Sequence, residues 1–297
     1  MSTLGMVQLL FVALALVMAG LGLSLRVDDF RGLRSQQRSV IVALVLQMVL
    51  LPLIALGLVF IFRLPSLLAI GMVLLAATPG SISANLYSHL FGGNVAFNIA
   101  LTGLNTFLCA LTLPLLSGWA MGYFTGTGHL MPILFDKALQ TIGVVVIPVI
   151  VGMAVAAKAP RFAKRVVKPV KILSAAVVVI FSIVAIVKEW DALVDGFGRV
   201  GLSILLFNAI GVAVGYGAAR AAAIGRAEAT TIAFQVSVHN AIQAIYVALA
   251  VLNEPLIALP AAVYSITMNI FAIGFGVLLN ARQRRPVVMT ERAISET

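Results

Sequence analysis

The 297-residue sequence predicts an all-α polytopic membrane protein with nine transmembrane helices, an inverted repeat and two broken helices. Three observations carry this. Hydrophobic residues make up 62% of the chain and mean hydropathy is +1.12. Charged residues are only 10%, against about 25% in a soluble domain. Two of the apolar runs are interrupted by polar residues, at TPGSISANLYSH and at QVSVHNAIQ.

A helix crosses the hydrocarbon core with about 20 apolar residues. The first such run is Met6–Leu25, with no basic residue before it, so it reads as a retained helix rather than a cleaved leader. A basic loop, RVDDFRGLRSQQR, leads to the second run, Val40–Phe62. The third starts at Leu64, breaks at Pro79-Gly80 and continues over Ile82–Leu90. The fourth is Val95–Tyr123. A polar turn at 124–133 precedes the fifth, Leu134–Ala157. The loop KAPRFAKRVVKPVK carries six Lys or Arg and no acid, and Ile172–Val187 follows. Leu202–Ala222 is the seventh. Glu228–Leu252 is the eighth and is broken, and Leu256–Leu279 is the ninth. A transporter unit therefore spans 1–280, with a polar tail at 281–297.

The net charge of +10 sits in short loops and the tail, which is the pattern of the positive-inside rule rather than of nucleic-acid binding. It predicts a multi-pass inner-membrane protein with the N-terminus outside and the C-terminus in the cytoplasm. The broken third and eighth runs are each followed by one long run, so the first four and last four share a layout with opposite direction. Paired interruptions in an inverted repeat point to a transporter's binding site near the midplane.

No Asp or Glu lies near the centre of a run; His239 is the ionisable group placed within a break, and His89 lies nearer a membrane face. Intramembrane ionisable residues are functional by default. The other polar groups at depth are amides and hydroxyls, including Gln47, Ser81, Ser83, Asn85, Asn98, Thr102, Gln235, Asn240, Gln243 and Asn269. Asn98 and Thr102, four apart, share a helix face. Such oxygens coordinate a cation or hydrogen-bond a polar substrate. The lone Cys109 gives neither a disulfide nor a cysteine metal site. No HExxH, GxSxG or Walker loop is present, so an enzyme and a nucleotide-driven pump are not expected.

Four segments, MAGLGLSL followed by VDDF, LQMVLLP around Gln47, TPGSISANLYSHLFGGNVAFNIALT and FQVSVHNAIQAIYVALA, resemble the bile acid:sodium symporter family, bacterial branch. Nearly the whole chain is covered. The resemblance implies a panel domain (about 6–25, 134–157 and 172–187) and a core domain (about 40–123 and 202–279) that holds the crossing of the broken helices. It implies two sodium sites. Asn85, Asn98 and Thr102 fall on ligand positions of the first, Gln47 on one of the second. Where the family shares a Glu between the sites this chain has Gln235, and where a Gln follows it has His239; Ala84 stands in place of a usual Ser. Two Na⁺ among neutral ligands in a low dielectric would be uncompensated, so two-sodium coupling is not expected. Asn240 and Asn269 match substrate-binding positions, with Ser81, Ser83 and His239 as further substrate candidates. The expected function is secondary transport of a small organic anion, bile-acid-like or another carboxylate, by alternating access. The alternatives are a sodium-independent or proton-coupled facilitator or exporter, and, outside transport, a membrane sensor. No cofactor is expected beyond Na⁺; the partners are the substrate anion and the bilayer.

Overall fold

The computed structural model describes residues 3–126, 135–188 and 190–283. Within them the chain is helical, and the one β feature is an isolated two-residue bridge. The expected polar turn at 124–133 and the tail at 281–297 lie mostly outside these residues.

Helix α1 (Thr3–Ser24) presents Ala13, Leu14, Val17, Met18 and Leu21 inward at helical spacing and leaves Phe11 and Val12 exposed. A short α2 (Val27–Gly32) follows, with Asp28 and Asp29 in its first turn, where the helix dipole favours acids. Next, α3 (Gln37–Val45) runs through a wide turn at Leu46–Leu50 into α4 (Leu51–Phe62). Pro52 explains that turn. It cannot donate a backbone hydrogen bond to the preceding turn, and the ladder widens to accommodate the loss. Gln47 sits on the widened turn.

Helix α5 (Ser66–Ala76) is buried on every side from Leu68 onward. It stops before Thr78-Pro79-Gly80, and α6 (Ser83–Leu90) resumes the path. Asn94 caps α7 (Val95–Phe124), its Oδ1 accepting from the Phe97 amide at 3.1 Å. Three long helices follow: α8 (Phe135–Lys158), α9 (Pro160–Lys188) and α10 (Trp190–Ala221). Then α11 (Arg226–Ser237) ends at the second break, and α12 (Ala241–Tyr246) continues helically to Val251. The last helix is α13 (Pro255–Gln283).

Both breaks fall where the sequence placed them. Among the described residues, five helical stretches are long and apolar enough to cross a bilayer: Val27–Phe62, Val95–Phe124, Leu139–Lys158, Val200–Ala221 and Pro255–Ala281. Their outer faces carry Ile41, Leu53, Leu115, Ile147, Ile270 and Leu278, all exposed. Apolar cover of this extent fits lipid rather than water. The chain is a multi-pass α-helical membrane protein.

Helix α1 packs along α8 and α9. The α1–α8 crossing is close enough that a Cβ on Gly22 would collide with the Val149 carbonyl, and one on Gly152 with that of Ala19. Around the two broken helices, α11 lies against α10, α6 and α7, and α5 lies against α13, α7 and α4, while α13 also packs on α9 and α7 on α8.

Candidate functional site

The two breaks meet. Ser81 N–H donates to Val238 O at 2.6 Å, and Asn240 N–H donates to Pro79 O at 2.9 Å. These bonds form the antiparallel bridge between Gly80 and His239. Backbone groups freed from a helix at bilayer depth need partners, and here each break supplies them to the other. Glycine is required at position 80: a Cβ there would collide with the Gln235 side-chain amide and its backbone carbonyl. The C-terminal ends of α5 and α11 both point into the crossing. Each brings the partial negative charge of a helix end, roughly half an elementary charge.

One polar cluster runs from α6 through α7 to α11. Asn98 Nδ2 donates to Ser88 Oγ at 2.8 Å. Thr102 Oγ1 lies 2.7 Å from Asn98 O and 2.9 Å from Gln235 Oε1. A threonine hydroxyl has one proton, so it satisfies only one of these acceptors. Turning the Gln235 amide over resolves the conflict: Nε2 then donates to Thr102 Oγ1, and the amide oxygen becomes the buried atom without a partner. Asn98 Oδ1 and both side-chain polar atoms of Asn85 are likewise buried without partners.

A second cluster joins the widened turn of α3–α4 to both breaks. Gln47 Nε2 donates to Thr78 O at 2.8 Å and lies 3.3 Å from His239 Nδ1. His239 Nδ1 is also 3.2 Å from Thr78 O. Nδ1 thus accepts from Gln47 in one ring tautomer and donates to Thr78 O in the other. The His239 Nε2 has no polar partner. The ring stacks on Phe207 at 5.6 Å and meets Tyr264 edge-on at 5.5 Å. Tyr264 is anchored in turn, its hydroxyl donating to Ser237 O at 2.6 Å.

Among the described residues, nine buried side-chain N or O atoms lack a hydrogen-bond partner, and seven belong to Gln47, Asn85, Asn98, Gln235, His239 and Gln243. Each such group costs about 1–3 kcal/mol. Their concentration at one crossing singles it out as the candidate site.

The remaining sequence candidates make other contacts. Asn240 is buried and caps α12, its Oδ1 accepting from the Gln243 amide at 3.3 Å. Ser81 and Ser83 are half-buried, with Ser83 N–H donating to Ser81 Oγ at 3.3 Å. Asn269 is engaged elsewhere: Tyr87 donates to its Oδ1 at 2.7 Å, and its Nδ2 donates to Ser265 O at 2.6 Å. His89 is exposed.

Four participants fall outside the site residues expected from sequence: Ser88, the Thr78 carbonyl, Glu228 and Thr231. Ser88 lies three residues after Asn85, so its helical face was readable. The Thr78 carbonyl has no side-chain signal at all. Glu228 accepts from Asn94 Nδ2 at 3.1 Å, while Thr231 Oγ1 accepts from the Asn94 amide at 2.8 Å, tying the start of α7 to α11. Nothing in one sequence links positions 134 residues apart.

A family model described as the Sodium Bile acid symporter family matches residues 11–196. The chain is 32% identical over 272 residues to the Bacillus subtilis (strain 168) protein named uncharacterized sodium-dependent transporter YocS, covering 87% of this chain and 79% of that one. It is 28% identical over 265 residues to the probable sodium/metabolite cotransporter BASS1, chloroplastic, of Arabidopsis thaliana, and spans 63% of that protein's length. It is 24% identical over 231 residues to the human ileal sodium/bile acid cotransporter, with 78% of this chain and 66% of the human one aligned.

Proposed function

This chain belongs to the Sodium Bile acid symporter family and is a transporter rather than an enzyme, and we propose that it moves a small organic anion across the bilayer by alternating access, coupled to a single Na⁺. The observation that carries the coupling is the set of buried, unpartnered amide atoms around Thr102. Asn98 Oδ1, the Asn85 side chain and the Gln235 oxygen in its turned orientation are hard neutral donors of the kind Na⁺ takes. The two helix ends supply negative potential without a formal charge. One cation is tolerable there; a second would meet no carboxylate.

The other cluster is more fully engaged internally: Gln47 Nε2 donates to Thr78 O and lies 3.3 Å from His239 Nδ1, which leaves Gln47 Oε1 as its one unpartnered side-chain oxygen. The substrate carboxylate is assigned to the side of the crossing lined by Asn240, Ser81 and Ser83, with Asn269 and His239 behind it. The packing of α1 against α8 and α9 supports a panel over about 6–25, 134–157 and 172–187. The core over about 40–123 and 202–279 would rock against it, in a nine-crossing arrangement with the N-terminus outside and the C-terminus cytoplasmic in a cell inner membrane. The names of the relatives support sodium coupling and, as cargo, a metabolite in one case and a bile acid in another.

A proton-coupled reading has one observation in its favour, the unpartnered buried Nε2 of His239. Uptake into proteoliposomes of a panel of organic carboxylates, with Na⁺ and pH gradients imposed separately, decides between them. Single-sodium coupling gives saturable Na⁺ dependence with a Hill coefficient near one. Uptake driven by pH alone, or a Hill coefficient near two, overturns it.

A further inference from the structure

We propose that the cleft at the junction of α1, α8 and α9 binds the phosphate headgroup of an anionic phospholipid. The cleft opens where α1 ends, α8 ends and α9 begins, and has a volume of about 210 Å³. That is below the 300–1,000 Å³ or so of a site for a drug-sized molecule, and it suits a headgroup better than a transported metabolite. Its walls are apolar, from Leu23, Ala156, Ala163 and Val167, and two cations, Arg26 and Lys164, stand on its lining.

Those cations have no carboxylate to neutralise them. The one ion pair among the described residues is Arg31 with Asp28, at 2.7 Å. Asp29, the other nearby acid, is engaged by the backbone N–H of Arg26 at 2.7 Å. The segment 158–171 that forms one wall carries six Lys or Arg and no acid. Two free cations over an apolar wall at helix ends call for an anion that also carries hydrocarbon. Phe162 and Ile172 on α9 and Val151 on α8 are exposed on the helices that wall the cleft and offer apolar surface for acyl chains. Free inorganic phosphate would gain nothing from that surface. Basic pockets between helices at a membrane face have this recognition chemistry in general. A lipid so placed touches α1, α8 and α9 together and braces them against one another.

The test uses the full chain in nanodiscs of phosphatidylcholine, with and without phosphatidylglycerol. Lipid retention is read by native mass spectrometry and Tm by thermal unfolding. Phosphatidylglycerol is expected to be retained and to raise Tm. The double variant Arg26→Gln/Lys164→Gln is expected to bind it at least tenfold more weakly, taking each surface cation's contribution as typical, and to lose the Tm gain. The control Arg34→Gln/Arg38→Gln removes two exposed cations away from the cleft and is expected to keep both. Equal losses in the two variants, a wild-type Tm indifferent to phosphatidylglycerol, or the same Tm gain from inorganic phosphate would overturn the assignment.

Discussion

Replacing Gln235 by Glu tests the ion chemistry of the crossing most directly. Gln235 is 1% exposed, 2.9 Å from the Thr102 hydroxyl and pressed against the backbone of Gly80. A carboxylate there cannot move to water. Among the described residues the crossing holds no cationic side chain to meet it, so in the absence of Na⁺ the variant carries an uncompensated buried charge, a defect worth about 3–5 kcal/mol. Sodium removes the defect. At a Na⁺ level a hundred times Kd the linked stabilisation is about 2.7 kcal/mol, on the order of 5 °C in Tm for a chain of this size. The assay compares Tm of wild type and variant in matched NaCl and KCl buffers, alongside Na⁺-dependent uptake. The variant should be less stable in KCl, recover in NaCl and show a steeper Na⁺ dependence of uptake than wild type. If its Tm is the same in both salts while it remains folded, the reading of Gln235 as the residue that limits cation charge is wrong.

Gly80→Ala drives a methyl into the Gln235 amide and carbonyl and prises the bridge apart; uptake should fall to background, with a stability loss of about 1–3 kcal/mol or more. Asn94→Ala removes the α7 cap and the contact to Glu228, so Tm should drop by the equivalent of about 1–2 kcal/mol while the Hill coefficient for Na⁺ stays unchanged. His239→Gln keeps a polar group beside Gln47; under single-sodium coupling the pH profile of uptake does not move, and loss of a pH-driven component in this variant would instead favour proton coupling. Tyr87→Phe frees Asn269 Oδ1, and a changed KM for the anion without a changed Na⁺ dependence would place Asn269 on the substrate side.

The helical pattern was legible because bilayer thickness sets the length of each apolar run, and Pro79-Gly80 is a breaker no helix of lipid depth conceals. The second break carries no Gly or Pro; its polar run QVSVHN was the signal, and α11 does stop at Ser237. Pairing was legible for Asn98 and Thr102, four apart on α7, but not for Thr102 with Gln235, whose 2.9 Å contact spans 133 residues. Asn269 likewise bonds to Tyr87 and Ser265, and its contact with Tyr87, 182 residues away, is not announced by its place in the sequence. Partners reached through backbone atoms, such as the Thr78 carbonyl that receives Gln47, leave no trace in residue identity.

The bridge at the crossing is made entirely of main chain: Ser81 to Val238 and Asn240 to Pro79. The bonds of the bridge therefore do not draw on the side chains at 235 and 239, provided position 80 stays glycine. Under single-sodium coupling, ion choice and fold would be set by different atoms. A lineage can exchange a charged ligand for a neutral one, or an amide for an imidazole, while the two broken helices keep crossing at the same point. Evolution can thus retune what drives this transporter one residue at a time without rebuilding the machine.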